Sequence, residues 1–341
     1  KIEQDRAEII AGVRHGKTLG SPIALSIQNR DWVNWTEVMS VDAIEGEVER
    51  VTRLRPGHAD LAGTVKYDFD DVRPILERAS ARETAARVAV GAVCKRLLGE
   101  LGVSFHSHTV QIGTVDAAVP DDIDWAALEE SPVRCADATS GDRMVEAIDA
   151  ARNAGDTLGG VVEGRAHGVP IGLGSHVHWD RKIDGRLAQA LMSIHSVKGV
   201  EIGGGFGATR LTGSNVHDVI LPREQWTDRP WARATNNAGG TEGGITDGQD
   251  VVVRVGLKPI ATLPRSLPSA DLLTGEEIAA HYERSDVCVV PAAGVIVEAM
   301  MAIVLAQAAL EKFGGDNIRE TVRNFRAFEA TTGPRDLRES I

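Results

Sequence analysis

The stretch from Val295 to Leu310 constrains this chain most: it is apolar on every side, with Glu298 its only charge and Gln307 its only other polar side chain. A helix that is hydrophobic all round has to be buried all round. The stretch is too short for a bilayer-spanning helix, which needs roughly 20 apolar residues. It therefore reads as a core helix, and Gly314 and Gly315 stop it.

Other elements must enclose such a helix. With 341 residues, 43% hydrophobic and 25% charged, the chain can bury a sizeable core as one large domain or two smaller ones. Val251–Val255 and Gly160–Glu163 read as strands. Glycine clusters in runs, Gly203-Gly204-Gly205-Phe206-Gly207 and Gly239-Gly240-Thr241-Glu242-Gly243-Gly244, which mark tight turns or backbone close to a ligand. The class is mixed, α+β. Neither a repeat nor a low-complexity linker divides the chain, so residues 1–341 read as a single domain.

The net charge of −12 argues against a nucleic-acid or anionic-membrane partner, because either asks for a basic face. An acidic ligand must then meet a local cluster of Arg and Lys. Cys94, Cys135 and Cys288 are odd in number and far apart, which suits a reducing, cytoplasmic compartment. The first residues, Lys-Ile-Glu-Gln-Asp-Arg, show no signal-peptide pattern. The chain begins without Met, and the expectation is that a leading segment is missing.

Asp71-Val72-Arg73-Pro74 places an acidic residue and a proline where a first helical turn belongs, predicting a helix to about Gly99. Its first half carries Ala79, Ser80, Ala81, Ala85, Ala86 and Ala89, small enough for tight helix packing or for a flat ligand. Arg78, Arg82 and Arg87 on the same segment favour an anion.

Three constellations could carry chemistry. Arg53-Leu54-Arg55-Pro56-Gly57-His58-Ala59-Asp60 sets guanidinium groups, which bind phosphate and carboxylate bidentately, beside an imidazole that moves protons near neutral pH. The plainer alternative is a surface turn. Lys258-Pro259-Ile260-Ala261-Thr262 ends a strand in a fixed turn where a lysine and backbone amides could converge on phosphate. Arg284-Ser285-Asp286, between a helical run and the strand-like Val287–Val290, is a local ion pair or an acid–base site. His106-Ser107-His108 and His176-Val177-His178 put imidazoles on one face of possible strands, but neither has a near carboxylate or thiolate, so no metal is assigned. The glycine runs lack the GxGxxG spacing of a dinucleotide fold. There is no Walker A, GxSxG or HExxH string.

Together and in order, these strings resemble the chorismate synthase family. Arg55-Pro56-Gly57-His58-Ala59-Asp60-Leu61-Ala62-Gly63, Lys66-Tyr67 and Glu77–Ala85 look like one continuous signature. Lys198-Gly199-Val200-Glu201-Ile202-Gly203, Asn237-Ala238-Gly239-Gly240, Gly243-Gly244-Ile245, Lys258-Pro259 and Arg284-Ser285-Asp286 are similar to its later blocks. The resemblance covers essentially the whole chain.

It implies a β-α-β sandwich with central helices between antiparallel sheets, usually assembled as a homotetramer. It implies a lyase that converts 5-enolpyruvylshikimate 3-phosphate to chorismate by 1,4-elimination of phosphate, with reduced FMN required and supplied by an external reductant. Nothing resembles the extra region of the bifunctional type. The resemblance places FMN on Arg78, Ala79 and Ser80, on His195 and Ser196, on Gly243, on Lys258, Pro259, Ile260, Ala261 and Thr262, and on Arg284. His195-Ser196 stands where Gln or Asn followed by Ala is more usual. Arg55, Arg82 and Arg284 match basic positions near the substrate. His58 matches a catalytic histidine in proton exchange with the flavin, and Asp286 a carboxylate placed to take a proton from flavin N5. A Gly-Glu-Ser-His-Gly opening is absent, and His15, which aligns with a later block, does not replace its histidine. The alternatives are a catalytically inert flavin- or phosphate-binding homologue, and a nicotinamide-dependent reductase that would quench NAD(P)H without FMN.

Overall fold

The structure, a computed structural model, describes residues 6–43, 45–46, 48–226, 230–283 and 285–334. Helices α1 (Asp60–Tyr67), α2 (Arg73–Arg78), α3 (Glu83–Gly99), α4 (Ala138–Asn153), α5 (Ile183–Met192), α6 (Val290–Phe313) and α7 (Ile318–Glu329) carry most of the helical residues. The apolar run lies in α6. Pro291 occupies its first turn, where a missing N–H costs nothing, and Gly314 ends it with φ 58°.

The helix lies on a five-stranded antiparallel sheet made of β3 (Ser104–Ile112), β4 (Val115–Asp116), β5 (Gly160–His167), β6 (Val197–Ile202) and β7 (Val251–Leu257), in the order β4-β3-β5-β7-β6. The registers Val253↔Gly164 and Ser107↔Gly164 bring β3, β5 and β7 into line beneath it. Period-2 alternation in β7 buries Val251, Val253, Val255 and Leu257 towards the helix, as a half-buried strand requires.

Close backbone approach fixes the layers. A Cβ on Gly164 would stand 2.7 Å from Val297 Cγ1, and one on Gly91 of α3 would stand 2.4 Å from Ala299 Cβ. Glycine at these positions lets α6 settle onto the sheet and α3 onto α6. Beyond α3 lies a short antiparallel pair, β1 (Ala7–Ala11) with β2 (Ala24–Ile27), and Leu25 and Ile27 face Ala85, Ala86 and Ala89 across a groove. Helices thus lie between sheets in an α+β fold. One hydrophobic cluster runs from Leu98 to Phe325.

The two expected strands are present within β5 and β7. The expected continuous helix to Gly99 is instead two helices, α2 and α3, broken at Ala79–Arg82. There the amide of Glu83 bonds Ser80 O and that of Thr84 bonds Ala81 O, while Ser80 Oγ accepts from the Arg82 amide at 3.3 Å. A serine that engages nearby backbone competes with the helical ladder, and the preference of Ala79 and Ala81 for helix does not override it. Val287–Val290 is not a strand: Cys288 makes a single bridge to Leu158 and Val290 already belongs to α6. The residues before Arg284 include the short strand Glu277–Ala279 rather than a helix. His176 and His178 lie in bends.

Candidate active site

The loop ahead of α1 carries a largely buried Arg–Asp–His cluster of the site. Gly57 adopts φ 76°, a conformation that favours glycine, and turns the chain so that Asp60 opens α1 beneath Arg55. Asp60 is fully buried. It accepts hydrogen bonds from the Arg55 amide at 2.9 Å, from Arg55 Nε at 3.0 Å and from Arg55 NH2 at 3.2 Å. His58 Nδ1 lies 2.5 Å from Asp60 Oδ1. Burial alone would raise the Asp60 pKa, but the hydrogen bonds and charges of His58 and Arg55 outweigh it and hold the pKa at about 2. A carboxylate on Nδ1 accepts its N–H and so fixes the tautomer with the lone pair on Nε2, which lies 3.5 Å from Arg55 NH2. The Arg55 guanidinium also donates to Thr262 Oγ1 at 3.1 Å.

Five stretches distant in sequence converge on one cavity of about 580 Å³. Its walls include Arg55 and His58 from the loop, Ala79, Ser80 and Ala81 from the α2–α3 break, and His195 and Ser196 from the turn after α5. Lys258, Ile260, Ala261 and Thr262 follow β7, and Asp286 precedes α6. The helix break, absent from the sequence-based expectation, is what turns the small residues towards the cavity. Lys258 Nζ donates to Gly57 O at 2.9 Å, and burial with the nearby Lys198 lowers its pKa. Thr157 Oγ1 donates to Ile260 O at 2.8 Å and pins the segment after β7.

Other expected residues stand elsewhere. Arg78 ends α2, exposed, and acts on the His195 charge without lining the cavity. Pro259 lines a second groove, with Lys198 and Gly199, rather than the cavity. Arg82 donates to Gln28 O at 2.8 Å and borders the groove between α3 and β2. Gly243 lies in the hairpin turn between Thr241–Glu242 and Ile245–Thr246, beside the start of α5. Arg284 falls outside the described residues. The sequence reading gave no role to Asp60 or Glu83. The carboxylate two positions after His58 was a visible signal for the first; nothing local marked the second.

The cavity offers cations at Arg55 and Lys258, imidazoles at His58 and His195, a carboxylate at Asp286, and alanine walls that admit a flat ring. A pocket of this size, with small apolar walls and a few convergent charges, suits a small anionic molecule and acid–base chemistry on it. The class defined by fold and site is therefore an α+β enzyme acting on an anionic small molecule.

A family model described as chorismate synthase matches residues 1–310. A chorismate synthase of Symbiobacterium thermophilum is 56% identical over 339 residues, covering 96% of this chain and 86% of that protein. One from Leifsonia xyli subsp. xyli is 54% identical over 338 residues, covering 96% and 83%. A solved structure titled "Crystal Structure of Chorismate Synthase" superposes with a TM-score of 0.76 at 44% identity, covering 95% of this chain and 84% of that one. The chain belongs to the chorismate synthase family.

Proposed function

We infer that the chain carries out its family's reaction as a carbon–oxygen lyase, the 1,4-elimination of phosphate from 5-enolpyruvylshikimate 3-phosphate to give chorismate, in aromatic amino-acid biosynthesis by the shikimate pathway. The observation that carries the site assignment is the convergence of Arg55, His58, Ser80, His195, Lys258 and Asp286 on one cavity. Their types suit the chemistry. A departing phosphate needs cations, and loss of a ring proton needs a positioned base.

The cavity also fits a flavin. Alanine-lined walls leave room for a planar ring, and His195 Nδ1 is a buried polar atom with no hydrogen-bond partner. Ala79, Ser80, His195, Ser196, Lys258, Ile260, Ala261 and Thr262 would hold reduced FMN; Arg78, Pro259, Gly243 and Arg284 are assigned to the flavin from the resemblance alone. Bound there, reduced flavin supplies transient electron donation to a reaction with no net redox change. Arg55, fixed by Asp60 and Thr262, presents its guanidinium to the substrate's anionic groups. Arg82 is assigned to substrate by resemblance. His58 moves a proton at Nε2, its Nδ1 being held by Asp60. Asp286 serves as proton acceptor.

The same reading takes residues 1–341 as one domain, supported by the continuous core, and has the protein working as a homotetramer in the cytoplasm with an external flavin reductant. The net charge of −12 argues against nucleic-acid and anionic-membrane partners. Helix α6 is long and apolar enough to cross a membrane, but its most apolar window is mostly buried, as in a soluble protein's core helix.

Titration with FMN, with and without the phosphate ester, tests the site. Protein-dependent changes in flavin absorbance, stronger with the ester present, are expected. No change in either condition would refute the assignment.

A further inference from the structure

The cavity holds a second imidazole, His195, whose surroundings resemble those of His58. The backbone fixes its position: Ser196 adopts φ 68°, and its carbonyl accepts from the Lys258 amide at 2.9 Å. His195 Nδ1 lies 3.9 Å from Glu83 Oε2. Both atoms are shielded from solvent, and neither has an aligned hydrogen bond. Arg87 Nε donates to Glu83 Oε1 at 3.0 Å and stands 2.9 Å from Oε2, off the line of a hydrogen bond, and Arg87 NH1 donates to Ser193 Oγ at 2.8 Å. The start of α3 is therefore tied to the turn that carries His195.

We propose that Glu83 is a positioning residue that makes His195 a second carboxylate-backed imidazole of the cavity, with Nδ1–H turned to Glu83 and Nε2 presented to the flavin as a hydrogen-bond acceptor. The flavin part rests on the function proposed above. Charged and titratable groups reach His195 from three directions: Glu83 and Arg87 on α3, Arg78 on α2, and His58 from the loop before α1. Burial disfavours the imidazolium, and Arg87, His58 and Arg78 disfavour it further, while Glu83 opposes them; the net effect lowers the pKa. A ring that is neutral near pH 7 carries one N–H, and the acceptor beside it is Glu83 Oε2, which is ion-paired with Arg87 but receives no aligned hydrogen bond. Hydrogen bonds of this kind are often long before ligand binds, so closing 3.9 Å to bonding distance asks only for a small rotation of either side chain.

This arrangement has a pH signature. Protonation of Nε2 removes the acceptor, so FMN affinity should weaken as pH falls through the His195 midpoint. The test uses two readouts on wild-type protein, Glu83→Gln and His195→Gln. The first is the NMR titration of the His195 ring without ligand. Removing the Glu83 charge should lower the midpoint; an unchanged midpoint overturns the dyad. The second is FMN titration across pH 5–8. His195→Gln should retain FMN binding within about tenfold and lose the low-pH weakening, leaving only the change due to the flavin phosphate, which is common to both proteins. A low-pH limb that persists in His195→Gln overturns the acceptor role. If FMN binds none of the proteins at any pH, the flavin reading and the acceptor role fail together, while the ring titration still decides the Glu83 contact.

Discussion

Replacing Asp60 by Asn isolates the group on which the rest of the site leans. Asp60 is fully buried, bonds three nitrogens of Arg55 and orients His58. Its pKa is held at about 2 against an ordinary value of 3.8, which corresponds to about 2 kcal/mol of folding stability. Because the folded-state pKa is depressed, that contribution is complete above the unfolded value and fades as pH falls from about 5 to about 2. Asn removes the charge and leaves the Arg55 guanidinium, itself buried, without a counter-ion. Breaking a buried pair in this way costs about 3–5 kcal/mol. Asn also offers an amide N–H to His58 Nδ1, which favours the opposite tautomer and takes the lone pair away from Nε2. Urea denaturation at pH 7 should therefore show Asp60→Asn less stable by several kcal/mol, with the gap narrowing towards pH 3. Phosphate release at a denaturant-free pH 7 should fall at least tenfold. A variant within 0.5 kcal/mol of wild type and with full turnover would refute both the buried pair and the orienting role.

Asp286→Asn should keep FMN and substrate binding while turnover falls about a hundredfold, the scale of losing a positioned acid–base group; steady-state kinetics separates the two. Lys258→Met should weaken FMN binding about 10–100-fold, as loss of one charge-assisted contact does, read by flavin titration. Gly91→Ala sets helix propensity against packing. Propensity favours alanine by about 1 kcal/mol, but its Cβ would stand 2.4 Å from Ala299 Cβ, so a net loss of about 1–3 kcal/mol in urea denaturation is expected.

Much of this architecture is visible in the chain itself. An apolar run charged only at Glu298 can be little else than a helix with neighbours on every side, and α6 is that helix. The β-branched runs in β5 and β7 carry their own strand signal. The loops at Arg55–Asp60 and Lys258–Thr262 announce an anion site by setting cations and turns in an acidic chain. What stays hidden depends on contacts distant in sequence. The break at Ala79–Arg82 opposes the local propensity of alanine. The side chain of Arg82 is turned to Gln28 O by the β1–β2 pair beside α3, away from the cavity that its neighbours Ser80 and Ala81 line. The approach of Glu83 to His195 exists only because α3 and the turn after α5 meet through Arg87 and Ser193.

The central claim is that one cavity performs the family's elimination with reduced flavin, and anaerobic turnover of 5-enolpyruvylshikimate 3-phosphate tests it most directly. Phosphate and chorismate should appear in equal amounts, only with reduced FMN present, and the rate should fall about a hundredfold or more in His58→Ala. Equal release without flavin, or an unimpaired His58→Ala enzyme, would contradict the account.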